Sequence, residues 1–111
     1  MKRFYRISTW LFVFLGCVHT LLTPAFYPSL TLDALWFAGA GLACVFLGLL
    51  NAARGATERA FIARLTWTAN TAGAVYFILI ILKLNQPQAW ICLLLLACMF
   101  FGSIATGKAV E

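Results

Sequence analysis

Charged side chains are scarce in this chain: only 10% of its 111 residues are Asp, Glu, Lys or Arg, against about a quarter in an ordinary soluble domain. Acidic residues number three, and histidine occurs once. A metal site needs several such ligands together, and acid–base catalysis needs titratable groups at one place. We therefore expect no metal, no cofactor and no catalytic residues, and we lean against an enzyme.

Other signatures are missing as well. No CxxC occurs, and all four cysteines lie inside apolar runs, so we interpret them as packing residues and not as zinc ligands or a redox pair. No phosphate-binding or dinucleotide motif follows a strand pattern. The net charge of +5 comes from basic residues near the ends of apolar runs, without interleaved aromatics along one face. Nucleic acid is therefore excluded as a partner.

Apolar residues dominate what remains: they make up 64% of the chain. So much apolar surface cannot be hidden inside a soluble fold of this size, so we expect lipid as the solvent. Four apolar runs are long enough to cross a bilayer, over residues 4–22, 31–51, 61–82 and 87–106. The predicted fold is all-α, a four-helix transmembrane bundle that forms a single integral membrane domain over residues 1–111.

Local signals predict where these helices begin and end. Thr31 or Asp33 can cap the second span, and Thr57 can cap the third. Pro24 and Pro28 should stop helix in the first connection, and Pro87 suits the first turn of the fourth span. The first run, preceded by basic residues, resembles a signal peptide, but its length and its repeat partner predict a retained span.

The sequence of one helical hairpin occurs twice. Placing Trp36 over Trp90 aligns Leu42–Gly48 with Leu96–Gly102, and placing Trp10 over Trp67 aligns Gly16 with Gly73 and His19 with Tyr76. Repeats decide architecture, so we predict an internal duplication. The first hairpin covers about residues 4–51 and the second about 61–106. Each unit has two spans, so both hairpins begin and end on the same side of the membrane and have the same orientation. A pseudo-two-fold axis along the membrane normal should relate the two hairpins.

Basic residues predict the topology. The side that holds both chain termini carries seven lysines and arginines, and the opposite side carries only Lys83. Cytoplasmic loops are rich in Lys and Arg, so the N- and C-termini should both be cytoplasmic. Because the chain also lacks an N-x-S/T sequon, we expect a bacterial inner membrane.

Each span has one face of small or polar residues. Membrane helices approach closely through such faces, so we predict inward packing by Gly16, Gly41, Cys44, Gly48, Gly73, Cys98 and Gly102. Four helices packed this way leave no room for a wide aqueous pore. Any conduction path would need a homo-oligomer or a narrow crevice.

Polar residues inside a membrane are candidate sites, and four were singled out for ligand binding: His19, Asp33, Asn70 and Tyr76. Histidine titrates near neutral pH, and Asp33, Tyr76 and Lys83 fall at the same predicted level as His19. A proton-linked or ligand-binding site is one interpretation. The alternative is that His19 bonds a backbone carbonyl or Asp33, while Asn70 links neighbouring helices.

Three classes of function remain open. The favoured one is an interaction or accessory protein that binds other membrane helices, itself or lipid, because polar groups within the spans are few. The second is a small oligomeric transporter or channel for a small or amphiphilic solute, with a site near His19, Asn70 and Tyr76. The third is a membrane enzyme acting on a lipid or quinone, for which too few acid–base groups share one depth.

Overall fold

A computed structural model of the protein describes residues 2–108, and this part of the chain is helical with no strand. The helices are α1 (Lys2–Leu21), α2 (Thr23–Phe26), α3 (Leu32–Ala56), α4 (Ala60–Leu84) and α5 (Pro87–Lys108). All but α2 are long and apolar enough to cross a membrane. The prediction of an all-α protein with four candidate spans is confirmed.

Helix ends follow the sequence signals only in part. The Thr31 hydroxyl accepts a hydrogen bond from the Ala34 N–H (3.2 Å) and caps α3, and α5 begins at Pro87, as predicted. The prediction for Thr57 was wrong: α4 starts after Arg59, which offers no side-chain cap, and Thr57 instead follows the end of α3. Helix α1 ends at Leu21, before Pro24, as predicted, and Pro24 lies in the first turn of the separate helix α2, where proline is tolerated.

The second span is longer than predicted. Helix α3 continues past Asn51 to Ala56, so Asn51 lies inside the helix and not at its end. No proline or αL glycine interrupts residues 52–56, and helix propensity carries the chain on until Thr57 turns extended. This extension places Arg54 on the helix, one turn beyond Asn51.

The four long helices form an up-down-up-down bundle. Helix α1 packs against α3 and α5, and α4 packs against the same two helices, so α1 and α4 lie across the bundle from each other. Three residues join α3 to α4, and two join α4 to α5, which makes consecutive helices antiparallel neighbours. The molecule measures 51 × 24 × 22 Å.

Large apolar side chains fill the centre of this bundle. Phe12, Leu96 and Met99 are fully buried, and Phe77 is nearly so. The Phe12 and Phe77 rings meet edge to face, with centroids 6.1 Å apart, across the diagonal between α1 and α4. The centre of the bundle is therefore packed with apolar side chains.

The outside of the bundle is also largely apolar. Leu21, Trp36 and Leu82 each expose more than 70% of their surface, and exposed leucine and phenylalanine occur on every long helix. Contiguous apolar surface of this extent is rare on soluble monomers. It suits a bundle surrounded by hydrocarbon.

Candidate functional site

Buried polar side chains of the described residues collect at one end of the bundle. This end, called the polar end below, consists of the first halves of α1 and α4 and the last halves of α3 and α5. Its buried polar side chains are Ser8, Thr9, Asn51, Arg54, Thr66, Asn70 and Ser103. Burying polar groups is costly unless each finds a hydrogen-bond partner, so their partners decide what this end can do.

Three helices are joined here by a hydrogen-bonded group that we call the polar cluster: Tyr5, Asn51 and Asn70. The Tyr5 hydroxyl reaches the Asn51 carbonyl oxygen (2.7 Å) and its Oδ1 (2.9 Å). Asn51 donates from Nδ2 to Asn70 Oδ1 (2.7 Å), and Asn70 donates from Nδ2 to Asn51 Oδ1 (3.0 Å). All three side chains are at least 97% buried, so the cluster is an internal link between α1, α3 and α4.

Arg54 is the buried cation of the polar end. Only 3% of its surface is exposed, and Nη1 donates to the Thr57 carbonyl oxygen (3.0 Å). Its Nε is buried without a hydrogen-bond partner. A guanidinium has five N–H donors and stays charged, so Arg54 adds a fixed positive charge to this end of the bundle.

A cavity of about 230 Å³ opens at the polar end between α1, α3 and α5. Its lining combines two cations, hydroxyls, an amide and small residues: Lys2, Tyr5, Arg6, Thr9, Trp10, Asn51, Ala52, Gly55, Ala56 and Thr106. Thr9 is 99% buried, and its Oγ1, closed to solvent, has no hydrogen-bond partner among the described residues. Both charged side chains of the described lining, Lys2 and Arg6, are cations.

A second cavity of similar volume lies on the outside of α1 and α5. It is lined only by apolar or small side chains, namely Phe4, Ala97, Cys98, Phe101 and Gly102. This groove has no polar group that could orient a ligand.

The four predicted ligand-binding residues lie on three helices, α1, α3 and α4. His19, near the far end of α1, stacks on Phe37 (centroids 3.9 Å apart), and its Nε2 is buried without a hydrogen-bond partner in the described part of the chain. Asp33 is exposed in the first turn of α3, and Tyr76 is exposed on α4. Asn70 lies in the polar cluster, and no hydrogen bond of the described residues joins any two of the four. Their common site stays a prediction.

The predicted packing residues lie at different kinds of contact. Gly16 and Gly41 bring the backbones of α1 and α3 together, since a Cβ added to Gly16 would lie 2.8 Å from the Gly41 carbonyl oxygen. Gly48 faces Val13 and Thr9 of α1, and Gly73 faces leucines of α3 and α5. Gly102 lies under the Tyr5 ring, and the thiols of Cys44 and Cys98 are partly buried and free.

Sequence reasoning missed most of the polar end. The sequence predictions above name neither Tyr5, Thr9 nor Arg54, and they place residue 51 at the end of the second span. A usable signal was present, because Tyr5 and Thr9 lie on one helical face, as do Asn51 and Arg54.

Metal ligands do not gather in the described part of the chain, where no three His, Cys, Asp or Glu side chains come together. Comparison with protein-family models, with curated proteins and with solved structures gives no match to this chain. The site must therefore be interpreted from its own chemistry.

Proposed function

We propose that this protein is a small four-span integral membrane protein that works by binding lipid or other membrane helices, as an interaction or accessory protein. The observation that carries this proposal is the packed bundle centre, where Phe12, Leu96 and Met99 are fully buried. A packed centre offers a solute no route along the bundle axis. The binding groups that remain face outward, on the apolar sides and at the rim of the polar end.

The proposed topology puts the polar end in the cytoplasm, with both chain termini. In support of this topology, the polar end and its loop carry six basic residues, whereas the opposite end carries Lys83. The six are Lys2, Arg3, Arg6, Arg54, Arg59 and Arg64. Membrane proteins retain such basic ends on the cytoplasmic side. A bacterial inner membrane is the proposed location.

An internal duplication remains part of the proposal. Two repeat-equivalent pairs are buried alike, Thr9 with Thr66 and Gly48 with Gly102. Other pairs differ: Leu42 is 43% exposed, whereas its equivalent Leu96 is fully buried. The two hairpins thus resemble each other in part of their packing.

One observation favours the alternative, a small oligomeric transporter. The His19 Nε2 is buried and has no hydrogen-bond partner among the described residues. A buried imidazole nitrogen of this kind is open to a hydrogen bond with a solute or with a second copy of the chain. The alternative therefore predicts transport that depends on His19.

Reconstitution separates the two functions. The purified protein is placed in phosphatidylethanolamine–phosphatidylglycerol liposomes, and proton and cation flux are recorded beside protein-free liposomes. We expect no protein-dependent flux, together with retention of lipid or of a stoichiometric membrane protein after purification in mild detergent. A flux that His19→Gln abolishes and the exposed control Thr71→Val preserves would establish the transporter instead. Protein that retains neither lipid nor partner would also overturn the proposal.

A further inference from the structure

We propose that the cavity at the polar end is a binding site for the phosphate headgroup of an anionic phospholipid. This inference rests on the proposed membrane function and names its ligand. The cavity occupies about 230 Å³, far above the roughly 10–15 Å³ that one water molecule needs. It lies where three span ends meet, which in a bilayer is the level of the headgroups.

The described side chains at the rim of the cavity include two cations. Lys2 and Arg6 lie one turn apart on α1 and both line the opening. No carboxylate of residues 2–106 lines it, and the single acidic residue of the described polar end, Glu58, is exposed in the loop after α3. Lys and Arg hydrogen bonds to phosphate are charge-assisted and roughly twice as strong as those between neutral groups.

The wall of the cavity is polar, but its polar groups are closed to a ligand. Tyr5 and Asn51 line the cavity and satisfy each other through the 2.7 and 2.9 Å hydrogen bonds of the polar cluster. Thr9 also lines it, but its Oγ1 is buried away from solvent. The charged groups at the rim therefore supply the contacts that would hold a phosphate.

The surroundings favour a lipid over a soluble phosphate. Trp10 lines the cavity and exposes half of its surface, and indole rings prefer the headgroup level of a bilayer. Phe4 and Ile7, on the same turns of α1, are exposed on the outside of the bundle. Basic pockets between membrane helices on the cytoplasmic side are a known way to hold anionic headgroups.

Native mass spectrometry of the detergent-solubilised full chain tests the site. Phosphatidylglycerol is titrated against the protein and against the variant Lys2→Gln/Arg6→Gln, with phosphatidylcholine as the zwitterionic probe. We expect the first bound phosphatidylglycerol to be held about tenfold more weakly by the double variant. The matched control Arg3→Gln/Arg64→Gln removes two exposed charges of the same end outside the cavity and should change binding by less than about twofold.

One further variant separates the cavity from charge alone. Gly55→Leu fills the cavity without changing charge and should lower phosphatidylglycerol binding several-fold. Unchanged far-UV circular dichroism shows that each variant is folded. Displacement of the lipid by millimolar glycerol 3-phosphate would identify a soluble phosphate as the ligand and overturn the lipid assignment.

Equal loss of phosphatidylglycerol binding in both charge variants would show that general surface charge causes the effect. Equal affinity for phosphatidylcholine would show that the anionic headgroup is not recognised. Either outcome would overturn the proposed site. These outcomes leave the flux measurement of the proposed function unaffected. Conversely, a transporter would show flux whether or not the cavity holds a lipid. Failure of the headgroup site and failure of the proposed function are therefore distinguishable.

Discussion

Asn51 makes hydrogen bonds to both other members of the polar cluster, Tyr5 and Asn70. Its Oδ1 accepts from both Tyr5 and Asn70, while its Nδ2 donates to Asn70 Oδ1 and to the Leu47 carbonyl oxygen (2.9 Å). Both polar atoms of the Asn51 side chain therefore have hydrogen-bond partners within the protein. Such satisfaction lets an amide sit at 0% exposure in a bundle whose surroundings are apolar.

Asn70→Leu should destabilise the bundle, because it leaves Asn51 without its partner on α4. Hydrogen bonds between membrane helices contribute modestly, so we expect a loss of about 0.6–2 kcal/mol in the free energy of unfolding. The measurement is unfolding by increasing SDS fraction in mixed micelles. Thr71→Val is the control, since the Thr71 hydroxyl bonds only the Trp67 carbonyl oxygen of its own helix.

The change at Asn70 should also be coupled to one at Asn51. In a double-mutant cycle, Asn51→Leu and Asn70→Leu together should cost less than the sum of the single changes. Strict additivity, or equal loss in the Thr71→Val control, would contradict the direct link.

Helices α1 and α3 form the tightest pair of the bundle. Gly16 and Gly41 face each other, and the Thr20 hydroxyl donates to the Ala38 carbonyl oxygen (3.1 Å) on the same side. The second hairpin has no such glycine pair: Gly73 meets leucine side chains, and Gly102 accommodates Tyr5 of the other hairpin. Small residues at equivalent sequence positions therefore serve different contacts.

Gly41→Ala should loosen this pair, and Gly39→Ala provides a matched control two residues away. A Cβ at Gly41 would lie 2.8 Å from the Gly16 carbonyl oxygen and 2.8 Å from the Thr20 nitrogen, so backbone must move. We expect a loss of about 1–3 kcal/mol in the same SDS titration. Nothing lies within 4 Å of a Cβ at Gly39, so that change should be neutral or stabilise by up to about 1 kcal/mol. Similar values for both variants would refute close backbone packing.

Basic and apolar residues concentrate in different parts of the molecule. Its middle is apolar inside and outside, while the polar end combines buried hydrogen bonds with most of the basic residues. This distribution is the basis of the proposed topology, in which the long axis crosses a bilayer and the polar end faces the cytoplasm.

Labelling of single cysteines checks this orientation. After the native cysteines are replaced by alanine, Ser29→Cys lies in the connection before α3 and Glu58→Cys lies between α3 and α4, both at exposed positions. A membrane-impermeant maleimide should label Ser29→Cys in intact cells and Glu58→Cys only after lysis. The reverse pattern would invert the proposed topology, and labelling of both in intact cells would contradict four crossings.

Much of the architecture followed from composition and hydropathy alone. Four apolar runs, short connections and the Thr31 cap determine an all-α chain with four candidate spans, because these signals are local and each helix satisfies its own backbone. The Thr57 cap and the end of α3 were wrong, since several residues near a helix end can serve as the cap.

The polar end was decided only by tertiary structure. Tyr5, Asn51 and Asn70 are separated by 46 and 19 residues along the chain, and their hydrogen bonds depend on how α1, α3 and α4 pack. Hydrophobic periodicity shows which residues avoid lipid, but it does not show which helices are neighbours or at what height their side chains meet. The cavity beside Lys2 and Arg6 exists for the same reason: it is the space left where three helix ends come together.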